Sequence, residues 1–200
     1  MSDEYERAFW GNCVNTLDED LKHVKVYAHL MGLRVEREWV KTSEDNLCRS
    51  TYSFDAKGKR ILDIGGGPTS MLLKCFNLKE GKIIDPLDYP QWTKDRYKSH
   101  NISVDVKCGE DIEEQGWDEV WIYNVLQHVK DPAKIIDKAL KAAPTLRLFE
   151  WINIPPHSGH PHMLTSEVLD EWIGTKGNTA EFIGAYGCSG QAYYVEANHD

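Results

Sequence analysis

Apolar positions along the chain change their spacing near residue 59. Before it, Leu17, Leu21, Val24 and Ala28 recur close to every 3.6 residues, which predicts a helix over 17–31. Thr16 suits its N-cap, Asp18, Glu19 and Asp20 its first turn, and Gly32 its stop. Residues 33–56 read as a connector carrying a second helix. After residue 59, short apolar runs alternate with helical stretches. Strands are predicted over 60–64, 82–85, 102–108, 119–123 and 145–152, and helices over 69–77, 91–99, 131–143 and 165–173. Asp131 ahead of Pro132 is a strong helix start. Two aromatic-rich runs, 181–186 and 191–197, joined through Gly187 and Gly190, read as a closing hairpin.

Strands alternating with helices imply a parallel sheet with right-handed crossovers and helices on both faces. The expected fold is therefore a doubly wound, Rossmann-like α/β domain over 57–200. Its sheet has seven mostly parallel strands and ends in an antiparallel C-terminal hairpin strand. Residues 1–56 form an N-terminal helical extension, in which Phe9-Trp10-Gly11-Asn12 suits either a lid over the site or an anchor to the body.

Composition narrows the function classes. The chain has 200 residues, 41% hydrophobic and 28% charged, as soluble globular domains do. No apolar run approaches the roughly 20 residues of a membrane span. The start, Met-Ser-Asp-Glu-Tyr-Glu, lacks the regions of a signal peptide, so no membrane association and a cytoplasmic location are expected. A net charge of −9 with no long Lys/Arg run argues against nucleic acid as a partner. Five scattered cysteines (Cys13, Cys48, Cys75, Cys108 and Cys188) form no C-x-x-C pair and indicate neither a metal site nor a redox motif. Oligomeric state leaves no sequence signal here.

The strongest local signal is Arg60-Ile-Leu-Asp-Ile-Gly-Gly-Gly-Pro-Thr-Ser70. A strand running into Gly65, Gly66 and Gly67 brings bare backbone close to a ligand, where side chains would clash. In open α/β sheets that position opens on the crevice at the carboxyl ends of the strands. Twenty positions after Gly65 stands Asp85, a carboxylate placed to accept from ribose hydroxyls. A dinucleotide fingerprint would need glycine where Ser70 stands, and Asp63 beside the loop suits a cationic amine better than a pyrophosphate. Judged singly, the glycines also suit a plain tight turn, and Asp85 and Asp111 suit solvated turn positions.

The whole stretch resembles motif I of the class I S-adenosylmethionine-dependent methyltransferases, with small-molecule and quinone-type members most similar. The resemblance continues in order over 58–197. Asp85 matches the acid after the second strand, and Leu87 would pack on one face of the adenine. Gly109-Glu110-Asp111-Ile112 matches the adenine segment, with Asp111 accepting from the exocyclic amine and Ile112 packing on the ring. Tyr123-Asn124-Val125-Leu126-Gln127-His128-Val129 with Asp131-Pro132 resembles the segment after the fourth strand. Pro68 departs from the usual loop. The resemblance implies S-adenosyl-L-methionine as cofactor and methyl transfer to a small-molecule oxygen or nitrogen acceptor. A non-catalytic cofactor-binding module and a nicotinamide-dependent oxidoreductase are the competing readings, the latter disfavoured by Ser70 and Asp63.

Candidates for handling an acceptor and its proton are Asn124 and His128 after the fourth strand, and His160 in the loop Pro155-Pro-His-Ser-Gly-His-Pro-His162. His157, His160 and His162 also suit a metal or plain solvation. No Asn/Asp-Pro-Pro-aromatic motif follows the fourth strand, so a nucleic-acid base is not the expected acceptor. The Asn153-Ile154-Pro155-Pro156 string follows the fifth strand instead.

Overall fold

The computed structural model describes residues 27–42, 48–181 and 189–196. The phenylalanine and tryptophan of the lid expectation, and most of the helix expected over 17–31, lie outside those residues; 27–30 are helical.

Ten strands and three α-helices are described. They are β1 (Val35–Thr42), β2 (Cys48–Asp55), β3 (Arg60–Ile64), β4 (Cys75–Phe76), β5 (Glu80–Asp85), α1 (Gln91–Ser99), β6 (Ile102–Val106), β7 (Glu119–Tyr123), α2 (Pro132–Ala142), β8 (Thr145–Ile152), α3 (Ser166–Ile173), β9 (Asn178–Glu181) and β10 (Ser189–Glu196). Seven of these strands form one sheet in the order β6-β5-β3-β7-β8-β10-β9. Its first five are parallel, and β10 runs antiparallel to both β8 and β9. The chain is thus a Rossmann-like α/β protein, as its sequence predicts. Strand order reverses between β3 and β7, which places a crevice at their carboxyl ends.

Central strands covered on both faces read as continuous apolar runs, and β7 (EVWIY) is buried at every position. The sheet divides two cores. On one face Leu62, Ile64, Val120 and Ile122 pack with Ile135, Ile136 and Ala139 of α2 and Leu169 of α3. On the other, Ile61, Ile83, Trp121 and Phe149 pack with Tyr97 of α1 and with Tyr52 and Phe54 of β2.

Three expectations need correction. Residues 33–56 hold no second helix where described; β1 and β2 pair as an antiparallel hairpin. Tyr52, Phe54 and Ala56 recur at every second position and bury their side chains, which is the strand period. The helix expected over 69–77 is replaced by two 3₁₀ turns, Gly67–Thr69 and Met71–Lys74, after which β4 pairs parallel with β2. A three-stranded sheet, β1-β2-β4, therefore covers the face where a crossover helix belongs. Finally, the hairpin partner of β10 is 178–181, earlier than expected, while 182–188 lie outside the described residues.

At the amino ends of the strands, Glu119 is nearly buried yet ionised. Burial would raise its pKa, but hydrogen bonds from Arg147 and Lys59 outweigh that and hold it low. Trp121 donates to the same carboxylate at 2.7 Å. Lys59, Glu119, Trp121 and Arg147 line a small pocket at this end, and a larger cavity lies at the other. Among the described residues, no helix is long and apolar enough to cross a membrane.

Candidate functional site

The crevice predicted by strand order is a cavity of about 680 Å³, within the range of small-molecule sites. Its wall brings together Gly65, Gly67, Asp85, Leu87, Glu110, Asp111, Asn124, His128 and His160, which the sequence placed on five separate segments. Ile64, Ile84, Val125 and Ile135 give it an apolar floor.

The glycine loop is shaped by contacts no side chain there would allow. Gly65 and Gly67 have φ of +72° and +60°, a region L-residues rarely enter. A Cβ on Gly65 would stand 2.5 Å from Cγ2 of Val125, and one on Gly66 would stand 2.6 Å from Oδ2 of Asp63. The loop backbone is pinned to the second strand: Gly65 donates to the Ile84 carbonyl at 2.7 Å, and Gly67 donates to Oδ2 of Asp85 at 3.1 Å. Oδ1 of Asp85 accepts from Leu87 at 2.9 Å and from the Tyr89 hydroxyl at 3.3 Å. Asp85 thus ties the loop to the start of the next segment while its carboxylate stands on the cavity wall.

Asp63, Gly66 and Ile112 are absent from the wall. Asp63 lies fully buried behind the loop, where its Oδ2 accepts from the hydroxyls of Ser70 and Tyr123 and its Oδ1 has no hydrogen-bond partner. Burial lifts its pKa to about 7 against the opposing hydroxyl bonds. From there it supports the loop through Ser70 and through Tyr123, which also holds the Met71 amide. Ile112 packs into the core with α2 instead of facing the cavity. Glu110 is on the wall, but its Oε1 is engaged by the backbone amides of Lys130 and Asp131, each at 3.0 Å. The side chain of Asp111 is exposed at the rim.

After β7 the chain turns sharply. Asn124 takes φ of +56°, a conformation asparagine tolerates. Its amide donates to the Phe149 carbonyl and its Oδ1 accepts from Gln127 at 2.6 Å. The turn is held by a residue the sequence reading missed. Glu150 is fully buried in β8, and its Oε1 accepts from the amides of Val125 and Leu126 at 2.7 and 2.8 Å. Burial raises its pKa to about 7 although those amides and His128 pull it down. The signal was present: an acid inside the apolar run LRLFEWI requires a partner. Lys130, Lys134 and Tyr89 also line the cavity without having been singled out.

The histidine loop folds back onto this turn. His157 and His160 bond to each other through both backbones, at 2.9 and 3.0 Å. The His160 ring lies edge-on to His128 with centroids 4.4 Å apart. Nδ1 of His128 is 2.9 Å from the Gly159 carbonyl. A carbonyl only accepts, so Nδ1 carries the proton and Nε2 is the basic nitrogen of the neutral ring. His157 and His162 are absent from the wall; the latter's Nε2 meets the Val129 carbonyl at 2.7 Å.

No family model and no curated protein matches the chain. Solved structures do. The N-methyltransferase NodS from Bradyrhizobium japonicum, in complex with S-adenosyl-L-homocysteine, is 16% identical with a TM-score of 0.50, over 68% of this chain and 78% of that one. The O-methyltransferase NcsB1 from neocarzinostatin biosynthesis, in complex with S-adenosylmethionine and 2-hydroxy-5-methyl naphthoic acid, is 18% identical with a TM-score of 0.53, over 70% and 50%. CrArsM, an arsenic(III) S-adenosylmethionine methyltransferase from Chlamydomonas reinhardtii, is 14% identical with a TM-score of 0.53, over 71% and 65%. The chain spans half the length of NcsB1 and somewhat less than two thirds of CrArsM. It has the fold of the class I methyltransferases.

Proposed function

We propose that the cavity binds S-adenosyl-L-methionine and that the protein transfers its methyl group to a small-molecule oxygen or nitrogen acceptor. One observation carries the reading: Gly65 and Gly67, Asp85 with Leu87, Asp111, and Asn124 with His128 line one cavity in the order of the methyltransferase motifs. The fold shared with NodS, NcsB1 and CrArsM supports it.

The residues present fit such a cofactor. The bare loop at Gly65 and Gly67 suits its amino acid end, the Asp85 carboxylate on the wall suits ribose hydroxyls, and Leu87, Val125 and Ile135 suit the adenine faces. Asp111 at the rim suits the exocyclic amine. When bound, the cofactor supplies a methyl group on positive sulfur, which departs as a neutral thioether while the acceptor–carbon bond forms. Holding two reactants in line is worth up to ~7–11 kcal/mol. His128 takes the acceptor's proton at Nε2, for a further ~10²–10⁴-fold. Gly159 fixes the tautomer that makes this possible, and His160 and Asn124 flank the same mouth. A small acceptor is supported by the concave site and the net charge of −9.

Calorimetry with S-adenosyl-L-methionine, S-adenosyl-L-homocysteine and NAD tests the cofactor. The first two should bind and NAD should not; binding of NAD alone overturns the reading. Asp85→Ala should weaken homocysteine-form binding by ~1–3 kcal/mol through lost charge-assisted bonds. Labelled-methyl transfer into a metabolite extract tests catalysis. Binding without any transfer would make the protein a cofactor-binding module.

A further inference from the structure

The glycine loop lacks the helix that would ordinarily anchor it, and its polar backbone groups are satisfied elsewhere. Tyr97 of α1 supplies the central contact. Its hydroxyl donates to the Gly67 carbonyl at 2.7 Å and accepts from the Ser70 amide at 2.9 Å. The side chain is fully buried, and burial keeps the hydroxyl protonated and able to donate. Arg96, the preceding residue of α1, donates to the Pro68 carbonyl. Tyr123 of β7 accepts from the Met71 amide at 2.9 Å and donates to Asp63. Three long side chains thus hold backbone groups of residues 67, 68, 70 and 71. Isolated 3₁₀ turns have poor internal hydrogen bonding, so this loop takes its shape from α1 and β7.

We propose that Tyr97 is a positioning residue for the cofactor, with its hydroxyl clamping the glycine loop in the place of the crossover helix. The proposal rests on the cofactor reading above for its consequence, while the clamp itself is a property of the ligand-free protein. Removing the hydroxyl strips partners from two backbone groups at the loop, which then samples shapes that do not fit the ligand.

The test compares wild type, Tyr97→Phe and Ile173→Val, a core variant on α3 far from the loop in sequence and outside the cavity wall. Hydrogen exchange is measured on ligand-free protein, and S-adenosyl-L-homocysteine affinity by calorimetry. Tyr97→Phe should speed exchange about tenfold in peptides covering 65–73, with α2 and α3 unchanged, and raise the Kd about tenfold, as two lost hydrogen bonds predict. Ile173→Val should lower the melting temperature and leave both readouts unmoved. Unchanged loop exchange in Tyr97→Phe, or equal loss of affinity in both variants, overturns the proposal. If wild type fails to bind, the cofactor reading falls and the exchange pattern alone decides the clamp. If Tyr97→Phe does not fold, wild-type exchange decides: the clamp predicts a Ser70 amide protected at least about tenfold over an unstructured one, and unprotected exchange there overturns it.

Discussion

Two crossovers leave the centre of the sheet, and they reach the same cavity by different means. The one after β7 turns at Asn124 and enters α2, an 11-residue helix capped by Asp131, whose side chain accepts from Lys134 at 3.1 Å. The one after β3 turns at Gly65 and makes no helix; tyrosine hydroxyls and a small sheet stand in its place. The helix of the first is capped by its own neighbour in sequence, although the turn before it borrows Glu150 and Glu110 from 20 to 25 positions away. The second depends on residues 18 to 52 positions away. Past its turn the first crossover continues as a helix with its own backbone ladder, whereas the second has no α-helix and rests on distant elements throughout.

The sharpest way to break this contrast is at Gly65. Gly65→Ala puts a Cβ into Val125 and forces a left-handed alanine, costing about 2–5 kcal/mol in chemical denaturation and abolishing ligand binding. Since Val125 belongs to the other crossover, this substitution strikes where the two meet. Glu150→Ala removes the acceptor for two buried amides and should cost about 2–4 kcal/mol at pH 7, while Glu150→Gln keeps one acceptor oxygen and costs less. Asp131→Ala removes the helix cap and should cost about 1 kcal/mol, with hydrogen exchange at 65–73 unchanged. Faster exchange there would erase the distinction between local and borrowed support.

A smaller effect sharpens it through pH. Asp63 supports one turn and Glu150 the other, and burial raises both to about 7 from ordinary values of 3.8 and 4.5. Between those limits the folded protein holds more protons than the unfolded chain, so their contribution is fully present below about pH 4 and is lost as pH rises through about 7. Glu114, held down to about 2 by Lys107 and Lys82 against its burial, acts oppositely, its contribution disappearing as pH falls below about 4.5. The melting temperature of Asp63→Asn/Glu150→Gln should therefore fall less than that of wild type between pH 5 and 8. Equal slopes would show that neither carboxyl is protonated in the folded state.

What could be read in advance follows the same division. Asp131-Pro132 announced α2, the apolar runs announced the central strands, and the order of Gly65, Asp85, Asp111 and His128 announced one wall. Each of these signals is local or lies in motif order. The absence of a helix after Gly67 was not legible, because Met71-Leu-Leu-Lys has adequate helix propensity and contacts from distant elements, Tyr97, Tyr123 and the pairing of Cys75 and Phe76 with β2, divert it. Tyr97 was missed for a related reason: its partners are backbone groups, which leave no trace in residue identity, whereas Glu150 did leave one, as an acid inside an apolar strand. Asp63 stood out beside the loop, but its burial behind that loop was not legible, since sequence spacing does not tell which face of the strand end meets the cavity.

The central claim, that bare backbone at 65–67 and the carboxylate of Asp85 form a seat for an adenosyl amino acid, is tested most directly by a crystal grown with S-adenosyl-L-homocysteine. The account predicts ribose density against Asp85, adenine beside Leu87 and Asp111, and the amino acid end over Gly65 and Gly67. Ligand density elsewhere on the protein, with this cavity empty, would contradict it.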